Sequence, residues 1–551
     1  MSAELTDNLE ERIALLHKLP DAVRIRSALV GDELFISEDM RGDTALVSLA
    51  IDLQKLGVTG IHFVPPGEFD AKYSRYASRR GSGDNELQQI AIDMIARAYE
   101  QGATDIHIED KGSFVRIRFR ILGMLKIDTE LGAETGRRMI RVIYEHLGAA
   151  QDAPAFDVNS PLDGRIVNKD FLPHGVFSVR IHSEPIECDG ADNGVGTFMP
   201  LRLLYDTSGA SGTLEQRLAK LGFTSGDVTL VDAAGNTRVA EAQTALFRRL
   251  ANKNGIVLIS GCTGSGKSTV LAHSMEAQIE ERPYDNFISI EDPPEKPIQG
   301  MHQIRINSKE DQQRAGGISA YTRAIAGTNR DDADTVMIGE IRYADAALST
   351  IDVALSGNQV WGTIHASDAF GILQRLDVLL KAKVAEPLRM VCDDAVLSGL
   401  EYQRLIAKLC PHCKRPLREN HDALPADLLT RLRRVLPHEV IFGDSAHDGI
   451  FYRNPEGCPH CAGSGHPGLY RQTVVAEVIV LDQHMLRLLR DGEKDAARSY
   501  WLSELRGMTY LEHARYYVAS GIIDPTVAED QLSMPLDYDC RAGTQALGTR
   551  P

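Results

Sequence analysis

Gly255-Ile256-Val257-Leu258-Ile259-Ser260-Gly261-Cys262-Thr263-Gly264-Ser265-Gly266-Lys267-Ser268 is the stretch on which the fold turns. The first six residues form a short apolar run, the length and composition of a strand buried on both faces. The next eight satisfy G-x-x-x-x-G-K-[ST]. In that pattern glycines let successive backbone N–H groups turn inward around phosphate oxygens, and the N-terminus of the following helix adds a favourable field. Ser268 to Glu280 reads as that helix. The binding set expected for a nucleoside triphosphate is Gly261, Thr263, Gly264, Ser265, Gly266, Lys267, Ser268 and Thr269. Lys267 reaches the β and γ phosphates and Ser268 binds Mg²⁺.

A P-loop needs acids on neighbouring strands. Asp334-Thr335-Val336-Met337-Ile338-Gly339-Glu340 supplies one, with Glu340 where an apolar run emerges, the position of a second Mg²⁺ contact. Ile288-Ser289-Ile290-Glu291-Asp292-Pro293 repeats the pattern, and Glu291 can orient or deprotonate an attacking water. Either acid could serve as the base. His365 follows the run Gln359 to Ile364, which places it at the carboxyl edge of the sheet, where open α/β folds bind ligand. Short strands alternating with helical patterns predict an α/β, RecA-like P-loop domain with a parallel-sheet core.

The chain has 551 residues, enough for about three or four domains. The divisions expected are an N-terminal α/β domain at 1–80 and a second α+β domain at 86–206. An ATPase domain at 213–400, a cysteine subdomain at 401–476, a C-terminal helical subdomain at 477–530 and a tail at 531–551 follow. Within them, Ala45 to Leu56 and Leu87 to Glu100 read as helices, Gly60 to Val64, Thr104 to Glu109 and Val115 to Arg120 as strands, and Arg79 to Asp84 as a linker. A net charge of −17 argues against a broad nucleic-acid-binding surface, which needs clustered positive charge. No run approaches the ~18 apolar residues of a membrane span. With no signal-like start at Met1 to Glu11, the expectation is a cytoplasmic chain that reaches a membrane only through a partner.

Four of the eight cysteines form Cys410-Pro411-His412-Cys413 and Cys458-Pro459-His460-Cys461. Each CxxC turn offers two thiolates, and two pairs complete a closed, structural Zn²⁺ site at Cys410, Cys413, Cys458 and Cys461. Residues 414–457 must then form a long excursion that returns to the metal.

Together these residues resemble the secretion-type ATPases of type II secretion and type IV pilus assembly (the GspE/PilB group). Gly261 to Ser268 resembles that family's Walker A, Glu291-Asp292-Pro293 its Asp box, Gly339-Glu340-Ile341-Arg342 its Walker B, and Thr363-Ile364-His365 its His box. Ala103 to Glu109, Arg116 to Arg120, Pro161 to Arg165 and Val179-Arg180-Ile181 resemble its second N-terminal domain. The resemblance, rather than any pattern, makes 1–80 a docking domain and 86–206 a PAS-like one. The resemblance implies that Arg165 and Arg180 reach the nucleotide phosphates across a cleft, where charge must be neutralised as the bond breaks. It also implies a catalytic His365, a hexameric ring, a peripheral place at the inner-membrane face beside a platform protein, and pilin-like subunits as the cargo moved. The cysteine module favours assembly or export over retraction. Tyr343, Leu122, Cys262, Ala333 and Asn358 depart from the family's usual residues and point to a divergent branch, such as a plasmid-borne conjugation pilus. Two other readings stand beside this one: a DNA-translocating or conjugation-associated ATPase, and a nucleotide-gated scaffold without turnover.

Overall fold

A computed structural model describes Val23 and residues 26–30, 32–42, 44–73, 83–149, 153, 155–191, 194–206, 211–306, 319–444 and 448–539. The chain divides into two compact units, residues 1–205 and 206–551.

In the first unit, Ser27–Val30, Glu33–Ser37 and Gly60–Val64 form a small sheet, and helix Thr44–Lys55 makes the crossover between the two parallel strands. Of the expected linker, residues 79–82 lie outside the described residues, whereas Gly83 and Asp84 already belong to helix Gly83–Glu100. A six-stranded antiparallel sheet follows. Its strands are Ala103–Asp110, Phe114–Ile121, Met124–Gly132, Leu162–Ile166, Val176–Glu187 and Val195–Tyr205. Strict alternation dictates its two faces. Val115, Ile117, Phe119 and Ile121 are buried, while Arg116, Arg118 and Arg120 share the opposite, wetter face.

The second unit is built on a seven-stranded sheet. Its strands are β1 (Gly255–Ser260), β2 (Phe287–Glu291), β3 (His302–Arg305), β4 (Thr335–Ile338), β5 (Gln359–Ile364), β6 (Leu397–Leu409) and β7 (Leu469–Val480). The order is β3-β2-β4-β5-β1-β6-β7, parallel except for the β6–β7 pair. Alternate residues of one strand enter different cores. Ile256 and Leu258 pack with Ile338 and Ile364, whereas Val257 and Ile259 pack with Val270 and Met275 of helix α1 (Lys267–Glu281). Apolar burial on both faces is why these strands read as continuous apolar runs. This is the RecA-like α/β fold that the sequence predicts.

Two expected boundaries fall inside strands. Positions 400/401 and 476/477 fall inside β6 and β7, which extend the seven-stranded sheet on either side of the cysteine pairs. The local cysteine pattern marks those boundaries, whereas the β6–β7 pairing is non-local. The expected tail begins too early. Gln531 and Leu532 complete helix Pro525–Leu532, and Leu536 and Asp537 are fully buried. Residues 540–551 lie outside the described residues.

The β6–β7 pair also carries two fully buried carboxyl groups, Glu401 and Glu477. Glu477 accepts hydrogen bonds from the N–H groups of Ala369 at 3.0 Å and Tyr510 at 3.4 Å. Burial pushes its pKa from 4.5 up to about 7. The folded state therefore binds the extra proton, and the stability this group contributes is complete below pH 4.5 and lost as pH rises through about 7. Glu477→Gln is expected to flatten the pH dependence of urea unfolding across that window. An unchanged slope would refute the assignment.

Candidate functional site

The loop after β1 is shaped by three glycines with left-handed φ: +147° at Gly261, +78° at Gly264 and +88° at Gly266. Gly261 is required for space as well. A Cβ there would lie 2.4 Å from the Gln403 carbonyl oxygen and 2.5 Å from Ser265 Oγ. Thr263 and Ser268 are exposed on the loop and at the start of α1. Ser265 is buried and its N–H donates to the Cys262 carbonyl at 3.2 Å, so it shapes the loop from within. Gln403 of β6 supports the loop from behind, its side-chain amide donating to the Ser265 carbonyl. Lys267 Nζ donates to the carbonyls of Gly261 at 2.9 Å and Cys262 at 3.1 Å. Burial lowers its pKa, opposed first by the Glu340 carboxylate. Thr269 Oγ1 accepts from Lys296 at 3.4 Å.

Parallel register brings the other groups to the same edge. Ser260 pairs with Ile364, so His365 follows β5 beside Gly261, and its Nδ1 lies 3.2 Å from the Gly261 carbonyl. Glu340 leaves β4 next to it, with Oε1 3.3 Å from His365 Nε2 and Oε2 2.7 Å from Arg342. Burial pushes the Glu340 pKa up, but the Arg342 hydrogen bond and the charges of Arg342, His365 and Lys267 outweigh it and hold the group low. Glu291 ends β2 and is buried. Its Oε1 accepts from Ser289 Oγ at 2.7 Å and from Gln303 Nε2 at 2.9 Å. Here burial wins, and the pKa is raised. The two acids are neighbours: a Cβ on Gly339 would meet Glu291 Cγ at 3.3 Å.

Lys267, Glu340 and His365 therefore converge on one loop, with Glu291 one strand away. Arg165 and Arg180 lie in the first unit, directly opposite one another in the sheet, and Arg180 is opposite Arg202. Arg165 Nε donates to Ser178 Oγ at 2.9 Å, and Asp105 accepts from Arg202 at 2.9 Å. Like charges in register weaken a sheet, and Asp105 offsets that cost at Arg202. Ser289, Gln303, Tyr321 and Gln403 were not singled out from sequence for this site. Ser289 stands two residues from the acid it serves, whereas Gln303, Tyr321 and Gln403 act on groups distant in the chain, and no local pattern marks such a contact.

The four cysteines form a second cluster, with all four sulfur atoms within 4.8 Å of one another. The separations are 3.7 Å for Cys410–Cys458, 3.9 Å for Cys413–Cys461 and 3.8 Å for Cys458–Cys461. Zn–S bonds of ~2.3 Å in a tetrahedron require S···S distances of ~3.8 Å, so the donor set fits that ion. The N–H groups of Cys458 and Gly468 each lie 3.2 Å from Cys461 Sγ and complement a thiolate. The excursion between the pairs closes at its neck, where Arg415–Pro416 pairs with Phe451–Tyr452.

Fold and site together define an α/β protein with a P-loop flanked by acids. Residues 81–529 match the family described as Type II/IV secretion system protein, and the chain belongs to that family. It is 27% identical to the type II secretion system protein E of Klebsiella pneumoniae over 412 residues, 75% of this chain and 69% of that protein. It is 30% identical to the type IV pilus assembly ATPase TfpB of Acinetobacter baylyi over 409 residues, 74% of this chain and 59% of that protein. With the type IV pilus assembly ATPase PilB of Thermus thermophilus the identity is 28% over 457 residues, 82% of this chain and 43% of that protein. In fold it resembles the Legionella pneumophila ATPase DotB, with a TM-score of 0.51 at 17% identity, covering 81% of this chain and 95% of that one. No helix among the described residues is long and apolar enough to cross a membrane.

Gly261→Ala should drive a methyl group into the Gln403 carbonyl. Overpacking of about 1–3 kcal/mol predicts a loss of fluorescent ADP binding of roughly five- to hundredfold, with the circular dichroism spectrum unchanged. Wild-type affinity in this variant would contradict the close approach.

Proposed function

We propose that this chain hydrolyses ATP and turns the energy into work that assembles a type IV pilus or the related pseudopilus of a type II secretion system. The observation that carries the reading is the pair of acids on neighbouring strand ends, Glu291 and Glu340, beside the P-loop lysine. Family membership and the names of the relatives support it.

In this scheme the loop from Gly261 to Gly266 offers backbone N–H groups to the phosphates, and Thr263 and Thr269 flank them. Lys267 exchanges its two loop carbonyls for β and γ phosphate oxygens. Ser268 and Glu340 would hold Mg²⁺, which neutralises charge on the phosphates when bound. Arg342 and His365 already engage the Glu340 carboxylate, which favours an ionised, fixed metal partner over a base. Glu291 is the better base. It is buried, oriented by Ser289 and Gln303, and its pKa is raised toward the working range. It takes a proton from the attacking water as the bond to the γ-phosphoryl group breaks, leaving ADP and phosphate. Arg165 and Arg180 are the candidates to supply positive charge to nucleotide phosphates. We further propose a homo-hexameric ring at the cytoplasmic face of the inner membrane. It would act on a platform protein and through it on pilin-like subunits. Zn²⁺ at Cys410, Cys413, Cys458 and Cys461 would hold the two ends of the 414–457 excursion together.

Lys267→Ala is expected to abolish ATP binding. Glu291→Gln should keep binding but lower kcat by about 10²–10⁴-fold. Because the Glu291 pKa is raised, the acid limb of wild-type kcat should lie at higher pH than for an ordinary carboxylate. Normal phosphate release by either variant would sink the scheme. For the cysteine cluster, Cys413→Ser should release zinc to a colorimetric chelator and lower the melting temperature. Zinc-free purified protein with unchanged stability would remove the metal from the proposal.

A further inference from the structure

The two acids of the site leave the sheet on neighbouring strands, and something must fix their separation where the ladder ends. The last regular pair is Ile290 with Ile338. One residue further, the Gly339 N–H still donates to the Ile290 carbonyl at 2.9 Å. The next N–H, that of Glu340, has no strand carbonyl to meet. It donates instead to the phenolic oxygen of Tyr321, at 3.1 Å. The same hydroxyl donates to the Ile290 carbonyl, at 3.2 Å. A single oxygen atom thus joins the residue before Glu291 to the backbone of Glu340.

We propose that the Tyr321 hydroxyl is a positioning group that sets the spacing of Glu291 and Glu340 for ATP hydrolysis. The proposal rests on the reading of this site as an ATPase. Other contacts make the hydroxyl the adjustable member of a fixed frame. Thr363 Oγ1 of β5 donates to the Gly339 carbonyl, and the Ile341 N–H donates to the Thr363 carbonyl at 2.8 Å, so the Glu340 segment is held firmly on its β5 side. Tyr321 is the corresponding tie on its β2 side. The absence of a Cβ on Gly339 lets the Glu291 side chain pass beside this segment, so a shift of the Glu340 backbone moves the two carboxylates relative to each other. The ring is partly buried against the core that contains Ile290, Ile338 and Ile341. Phenylalanine can keep that packing while losing only the hydroxyl. Displacements of an ångström or less at a catalytic group cost up to about a hundredfold in rate.

The test compares the full chain with its Tyr321→Phe variant, at equal melting temperature. It measures kcat and KM for ATP, the Mg²⁺ concentration for half-maximal turnover, and fluorescent ADP affinity with and without Mg²⁺. The expected result is a fall in kcat of at least about tenfold with KM within about twofold. The Mg²⁺ requirement should rise, and metal-free ADP affinity should stay unchanged, because that binding does not use Glu340. Unchanged kcat and Mg²⁺ dependence would overturn the proposal. So would a parallel loss of metal-free ADP affinity, which would mark the hydroxyl as a general structural prop. If the wild-type chain binds ADP without hydrolysing ATP, the ATPase reading fails. The Mg²⁺ enhancement of ADP affinity then still decides the role of Tyr321: weakened in the variant it supports the role, unchanged it overturns it.

Discussion

The parallel pairing of Gly255–Ser260 with Gln359–Ile364 on one side and with Leu397–Leu409 on the other is the constraint that every part of the site obeys. Parallel strands in register finish together, so residues more than a hundred positions apart emerge at one edge. The Gly261 carbonyl makes this concrete: Lys267 donates to it from the start of the helix, and His365 lies against it from the neighbouring strand. Gln403, from the strand on the other side, holds the loop from behind. The loop is therefore a surface supported from three directions rather than a flexible glycine-rich turn.

Burial acts unequally on the two acids, Glu291 and Glu340. Glu291 sits deep with two neutral donors, so desolvation prevails and its affinity for a proton rises. Glu340 lies beside Arg342, His365 and Lys267, so charge prevails and it stays ionised. Two chemically identical side chains on adjacent strands are thereby pushed in opposite directions in pKa, as the proposed division of roles requires. The same desolvation acts on Glu477, where two backbone donors only partly offset it.

The cysteine module shows how a long insertion can be grafted onto such a sheet. It leaves from the end of β6 and returns at the start of β7, strands that pair along most of their length. The sulfur cluster sits where those strands part, and the short Arg415–Pro416/Phe451–Tyr452 ladder closes the neck beyond it. The excursion is thus fastened at its root twice, by side chains and by backbone.

Much of this was legible in the amino-acid sequence. The P-loop, the bounds of β1, β4 and β5, the acids at strand ends and the four cysteines all depend on residue types at short fixed spacings. Patterns of that kind survive without knowledge of the partner strand. The sequence also told of alternation in the first unit, because a half-buried strand writes its two faces into every second residue. What only the tertiary structure decided are relations between distant segments. The membership of β6 and β7 in the main sheet, the burial of Leu536 and Asp537, the backing of the loop by Gln403 and the bridge made by Tyr321 all belong to this class. Each depends on contacts between segments that are not neighbours in the chain, and such contacts leave no periodic trace along it. Local chemistry named the groups, and sheet register determined which of them meet.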